Sequence, residues 1–110
     1  MFFCISLNHM EDLTKYSDPV DAQKRAYEVY GPHARLYYSS RPTKKYMILD
    51  PEGKRVNFGQ MGYADYTLHK DEERRRHYLA RSMKIRGNWK KNLYSPNQLA
   101  MRILWGLDDD

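Results

Sequence analysis

The chain has 110 residues, a formal charge of +5 and 14% aromatic residues, ten of them tyrosines. That length makes one domain with one small core, and the aromatic content is unlike that of a disordered chain, which lacks groups to bury. A single cysteine, Cys4, excludes an internal disulfide and a four-cysteine zinc site, so the chain reads as the product of a reducing compartment.

The positive charge is local. Residues 70 to 91 hold nine Lys/Arg against three Asp/Glu, and the rest of the chain is close to neutral. Such a stretch favours a polyanion or an acidic protein surface, although a solvated helix face has the same composition. Tyrosine joins an apolar ring to a hydroxyl that needs a partner, which suits half-buried positions and interfaces.

In chain order, residues 2 to 7 form an apolar run beginning Phe2-Phe3. It is too short for a membrane span and lacks the basic flank of a signal peptide, so no membrane insertion is expected. The run reads as an edge strand or a peg into a neighbour within an arm over 1–17, and Asn8 to Lys15 as a connector. A single domain is expected over 18–107. Asp18 can cap a helix, with Pro19 at its first position and Asp21 at its positive end. Gly31 and Pro32 stop it after Tyr30. Val20, Ala26, Tyr27 and Tyr30 are expected on its inner face, with Lys24, Arg25 and Glu28 outside.

Three strands are expected next: Ala34 to Ser40, Lys45 to Asp50 and Lys54 to Phe58, joined by turns at Arg41-Pro42-Thr43 and Asp50-Pro51-Glu52-Gly53. The second turn has Asp first, Pro second and Gly fourth, the type I preferences. Val56 and Phe58 alternate with Arg55 and Asn57, as on a strand with one buried face. Gly59 and Gly62 mark backbone needing positive φ or close approach. Tyr63 to Leu68 can form one or two helical turns. A helix opening at Asp71-Glu72-Glu73 and ending at Gly87-Asn88 would place acids at its start and Arg74, Arg75 and Arg76 beyond them, with Tyr78, Leu79 and Met83 on one face. Ser95-Pro96 with Gln98 forms a capping-box pattern for a last helix to Trp105, with Leu99, Ile103 and Leu107 inward. The tail Asp108-Asp109-Asp110 is exposed charge and a possible electrostatic partner for the basic segment. The expected fold class is α+β: a small three-stranded antiparallel meander packed against about three helices.

Little in the chain points to catalysis. His69, Glu73 and His77 fall at i, i+4 and i+8, yet a metal needs further ligands and supporting groups, and a cap at Asp71 breaks the alignment. Neither a phosphate-binding Gly-Lys-Ser/Thr loop nor a Gly-x-Ser-x-Gly elbow is present, and a cysteine in an apolar run is normally packed and inert. The expectation is no enzyme, no catalytic residues, no metal and no cofactor. The stronger constellation is Arg74, Arg75, Arg76, Arg81, Lys84, Arg86, Lys90 and Lys91, with His77, Tyr78 and Trp89 interleaved. Clustered cations gain from phosphates by counterion release, and an exposed Trp or Tyr can stack a base; the same residues suit an acidic protein. Phe2, Phe3 and Tyr37 are candidate partner contacts.

The runs Lys44-Lys45-Tyr46-Met47, Asn57 to Asp71 and Arg74 to Arg81, with Leu104-Trp105, resemble a small family of basic proteins from large double-stranded DNA viruses. Its pattern is Phe-Gly-x-x-Gly-Tyr-x-Asp-Tyr-Thr-x-His-Lys-Asp, here Phe58 to Asp71. The family brings no established catalytic residues. The resemblance implies a virion protein, a minor capsid or virion-lining component whose partners are larger capsid or other virion proteins, present in host cytoplasm or nucleus during assembly. The alternative is a nucleic-acid-binding accessory protein using Arg74 to Lys91 on DNA.

Overall fold

The structure, a computed structural model, describes residues 12–107. Phe2, Phe3, Cys4 and the Asp108 to Asp110 tail lie outside the described residues.

The fold is α+β with one three-stranded antiparallel sheet. Helix α1 (Pro19–Tyr30) precedes β1 (Leu36–Tyr38), β2 (Lys44–Leu49) and β3 (Arg55–Gln60). Two helices follow, the short α2 (Tyr66–His69) and α3 (Glu72–Met83), then a 3₁₀ turn at Asn88–Lys91. Last comes α4 (Pro96–Leu99), which runs on as a π-helical turn at Ala100–Leu104. The sheet is a meander in the order β1-β2-β3, and two cross-strand rows make its inner face. Leu36, Ile48 and Val56 form one row; Tyr38, Tyr46 and Phe58 form the other. These rows pack with Leu13, Ala22, Ala26, Leu99, Ile103 and Leu104 into a single core. Burying a ring such as that of Phe58 contributes about 1.5–3 kcal/mol. The terminal helix is the centre of the packing, lying on β3 on one side and on α1 on the other.

Local chemistry explains the boundaries. The Asp18 carboxylate accepts from the Val20 and Asp21 amides and caps α1. Asp50 closes the β2–β3 turn by accepting from Gly53 N–H on its carbonyl, and from the Glu52 and Lys54 amides on its carboxylate. Ser95 accepts from Gln98 N–H, the first half of the expected capping box. The reciprocal half is missing, because the Gln98 side chain donates to Lys90 O and accepts from Arg102 Nε, bridging the 3₁₀ turn to the last helix.

Several expectations are corrected. Leu13 and Ser17, which precede residue 18, are both buried. In α1 the buried residues are Ala22 and Ala26, while Val20 is 81% exposed and Tyr27 is also exposed. Arg25, expected outside, lies half-buried and donates to Arg102 O and Leu107 O at the C-terminal end of the last helix. Strand β1 is three residues long rather than seven. The turn expected at Tyr63 starts only at Tyr66, where Asp65 caps it, and α3 stops at Met83 rather than Gly87. The last helix widens from α to π after Leu99, with Trp105 N–H donating to Ala100 O five residues back, and Leu107 is only half-buried.

Candidate functional site

A buried polar knot fixes the segment that leads into α3. The Lys45 ammonium is 2% exposed and donates to Asp65 Oδ2 at 2.9 Å, to Tyr63 O at 2.7 Å and to Tyr16 O at 3.4 Å. Its three protons thereby meet three acceptors. Asp65, 1% exposed, accepts from Thr67 N–H with its other oxygen and from the Thr67 hydroxyl, so the same carboxylate caps α2. Asp18 N–H donates to the Thr67 hydroxyl oxygen, and the Ser17 and Tyr46 hydroxyls share a 2.7 Å bond. Burial lowers the Lys45 pKa, and the adjacent Asp65 carboxylate opposes that shift. The knot ties residues 16–18, β2 and the 63–67 turn together, which sets where α3 begins. Lys70, at φ 54°, takes the left-handed conformation between α2 and α3, and Asp71 caps α3 by accepting from the Glu73 and Arg74 amides.

Helix α3 then runs across the surface with little of itself hidden. Among its twelve residues only Ser82 is buried. Its attachment is a line of specific contacts rather than a broad apolar stripe. Tyr78 stacks on Trp105 with ring centroids 4.1 Å apart, and Arg75 donates to Trp105 O and Gly106 O while pairing with Glu72 at 2.7 Å. Near the helix end, the Asn97 amide donates to Ser82 O.

A groove of about 470 Å³ lies between this helix and the sheet. Arg74, His77 and Arg81 line the α3 side; Gln60 and Tyr63 line the other; Gly59, Ala64, Ala100 and Leu104 contribute apolar surface. Another hollow is lined by charges already paired, Lys70 with Asp21 at 2.5 Å and Arg75 with Glu72.

The expected basic set therefore divides. Arg75 is held by the molecule's own carbonyls and Glu72. Arg74 and Arg81 turn toward the groove, with Arg81 also over the Tyr78 ring. Arg76, Lys84, Arg86, Lys90 and Lys91 are exposed and form no ion pair among the described residues. Trp89 is half-buried, its indole N–H donating to Ile85 O with Lys90 above the ring, which leaves it less free to stack than an isolated surface tryptophan. Tyr37 is half-buried on the outer sheet face with Met47 and Asn57. Sequence reasoning missed Gln60, Tyr63, Ala64 and Leu104 as groove residues and Lys45 and Asp65 as a buried pair, since no local pattern links residues so far apart in the chain.

The cap at Asp71 separates His69 on α2 from Glu73 and His77 on α3, and no group of three or more metal-ligating residues gathers among the described residues. His69 instead accepts from Asp71 N–H through Nδ1 and lies 5.2 Å from the Trp105 ring. Burial, helped by the Arg74 guanidinium, lowers its pKa. The neutral ring is thus favoured on folding, and its contribution is full above the unfolded value of about 6.5 and is lost as pH falls through the lower folded value. We expect the melting temperature to drop between about pH 7 and about pH 5, with a shallower drop in His69→Asn; parallel curves for the two proteins would refute this.

Residues 34–82 match a family of unknown function (DUF5754). The match spans β1 through nearly all of α3, so the sheet, the Lys45–Asp65 pair and the arginines of α3 fall inside it, whereas residues 16–18 of the knot, the 3₁₀ turn and the last helix do not. No curated protein and no solved structure matches the chain. Among the described residues no helix is long and apolar enough to cross a membrane.

Proposed function

We propose that this chain is a non-enzymatic interaction protein that docks onto an acidic surface of a larger protein through α3 and the turn after it. We place it in the particle of a large DNA virus, as a minor capsid or virion-lining component; the sequence resemblance supports that setting. The observation that carries the docking role is the poor self-burial of α3. A helix that hides one residue of twelve gains little stability from its own core contacts and stands to gain from a partner. Among the described residues its exposed cations form no ion pair, and Met83 and Ile85, 44% and 51% exposed, are interleaved with Lys84 and Arg86. Apolar side chains among cations suit a protein surface, where both find contacts, better than a phosphate backbone, which rewards only the charge.

DNA binding is the second reading, favoured by the five cations from Arg76 to Lys91 that form no ion pair among the described residues. One experiment separates the two: a photo-crosslinking residue in place of Ile85, with particles purified and split into shell and genome core. The expected product is an adduct to a larger shell protein. Replacing Lys84, Arg86 and Lys90 together by Glu should reduce incorporation by about tenfold or more, since like charges facing an acidic surface cost several kcal/mol. An adduct to DNA would favour the second reading, and absence of the chain from particles would remove the virion setting.

A further inference from the structure

We infer that the groove beside α3 receives a short extended acidic segment of the protein partner, with one apolar side chain of that segment seated on the groove floor. This rests on the docking role above and assigns its anchor. Charge complementarity selects the occupant. Arg74, His77 and Arg81 face the groove, no Asp or Glu lines it among the described residues, and Lys45, which also borders it, is already neutralised by Asp65. An anion entering there meets the Arg74 and Arg81 guanidiniums with no carboxylate opposing it among the described residues.

The floor narrows the choice among anions. Gly59, Ala64, Ala100 and Leu104 give the groove a carbon-lined recess between the arginines and the sheet. The flat surfaces that a nucleobase would seek are largely taken, because Tyr78 and Trp105 lie against each other at 4.1 Å with planes 8° apart. Tyr63, 70% exposed, also borders the groove with its ring open to solvent. An apolar side chain flanked by carboxylates uses both the recess and the rim. Arg74 and Arg81 are two helical turns apart, about 10 Å along the axis, a distance that an extended peptide covers in about three residues. A short segment therefore reaches both arginines while its middle lies over the floor.

The test uses the full chain and a synthetic octapeptide of Asp and Glu with a single central Phe. Backbone amide NMR shifts on the wild-type protein should move at Gly59, Ala64, His77 and Leu104 as peptide is added. Binding should weaken by about tenfold when the peptide Phe is replaced by Ala, from the lost burial of the ring, and by at least as much in Arg74→Glu/Arg81→Glu. Ala64→Leu, which fills the recess without altering charge, should weaken the Phe peptide more than its Ala counterpart. Shifts confined to residues 84–91 would overturn the groove while leaving the docking role standing. Stronger groove shifts with oligothymidylate than with peptide would overturn a protein segment as its occupant. No response to the peptide at low salt would overturn both the groove and the acidic-partner role.

Discussion

Asp65→Ala is expected to destabilise the fold by about 3–5 kcal/mol, the typical cost of removing one member of a buried ion pair. The loss has two parts. Lys45 would keep its carbonyl contacts to Tyr63 and Tyr16 but hold an uncompensated charge at 2% exposure, and the Thr67 amide and hydroxyl would lose their acceptor at the start of α2. Small domains have only about 5–15 kcal/mol in total, so the variant should unfold at a much lower urea midpoint with a similar slope. Lys45→Met should be comparably harmful because it strands the carboxylate instead. The double variant Lys45→Met/Asp65→Ala should cost clearly less than the sum of the separate changes, since neither side then buries a lone charge. Additive losses across that cycle would show that the pair is not coupled.

This knot was the part of the molecule least legible in the sequence. Lys45 reads locally as one more basic residue at the start of a strand, and Asp65 as one residue of a short helical turn; only folding brings the residues, twenty positions apart, within 2.9 Å. Features governed by neighbours in sequence were readable. The Asp50 to Gly53 turn, the Asp18 and Asp71 caps and the three-stranded meander all follow from short-range backbone chemistry. The inward face of α1 was misread because hydropathy ranks valine inside and arginine outside. The fold reverses both: Val20 sits on the first turn facing solvent, while Arg25 donates to the carbonyls of Arg102 and Leu107. Composition located the cationic stretch at α3 but could not say which arginine was spent. Arg75 differs from Arg74 and Arg76 only in that the helix turns it toward the carbonyls of Trp105 and Gly106. The groove needed β3, the 63–64 turn, α3 and the last helix in place together, so no single segment announced it.

Gly59→Ala is the second change with a large expected effect, about 2–5 kcal/mol from left-handed backbone strain and overpacking combined. Gly59 has φ +84°, and a Cβ there would lie 2.9 Å from Leu104 Cδ1 and 3.2 Å from Lys45 Cβ. Leu104 is buried in the core and Lys45 is anchored through its ammonium, so neither side chain can yield freely. Gly62 supplies the control. Its φ is +98°, yet nothing lies within 4 Å of its Cβ position, so Gly62→Ala should cost only the backbone strain, about 1–2 kcal/mol. The excess of the first variant over the second, read from urea midpoints, measures the close approach itself. Because the added methyl presses on the Lys45 stem, Gly59→Ala and Asp65→Ala should also be non-additive, whereas Gly62→Ala and Asp65→Ala should come closer to additivity. Equal costs at the two glycines would mean that Leu104 and Lys45 relax around the methyl, and that the groove floor beneath Arg74 and Arg81 is softer than its contacts imply.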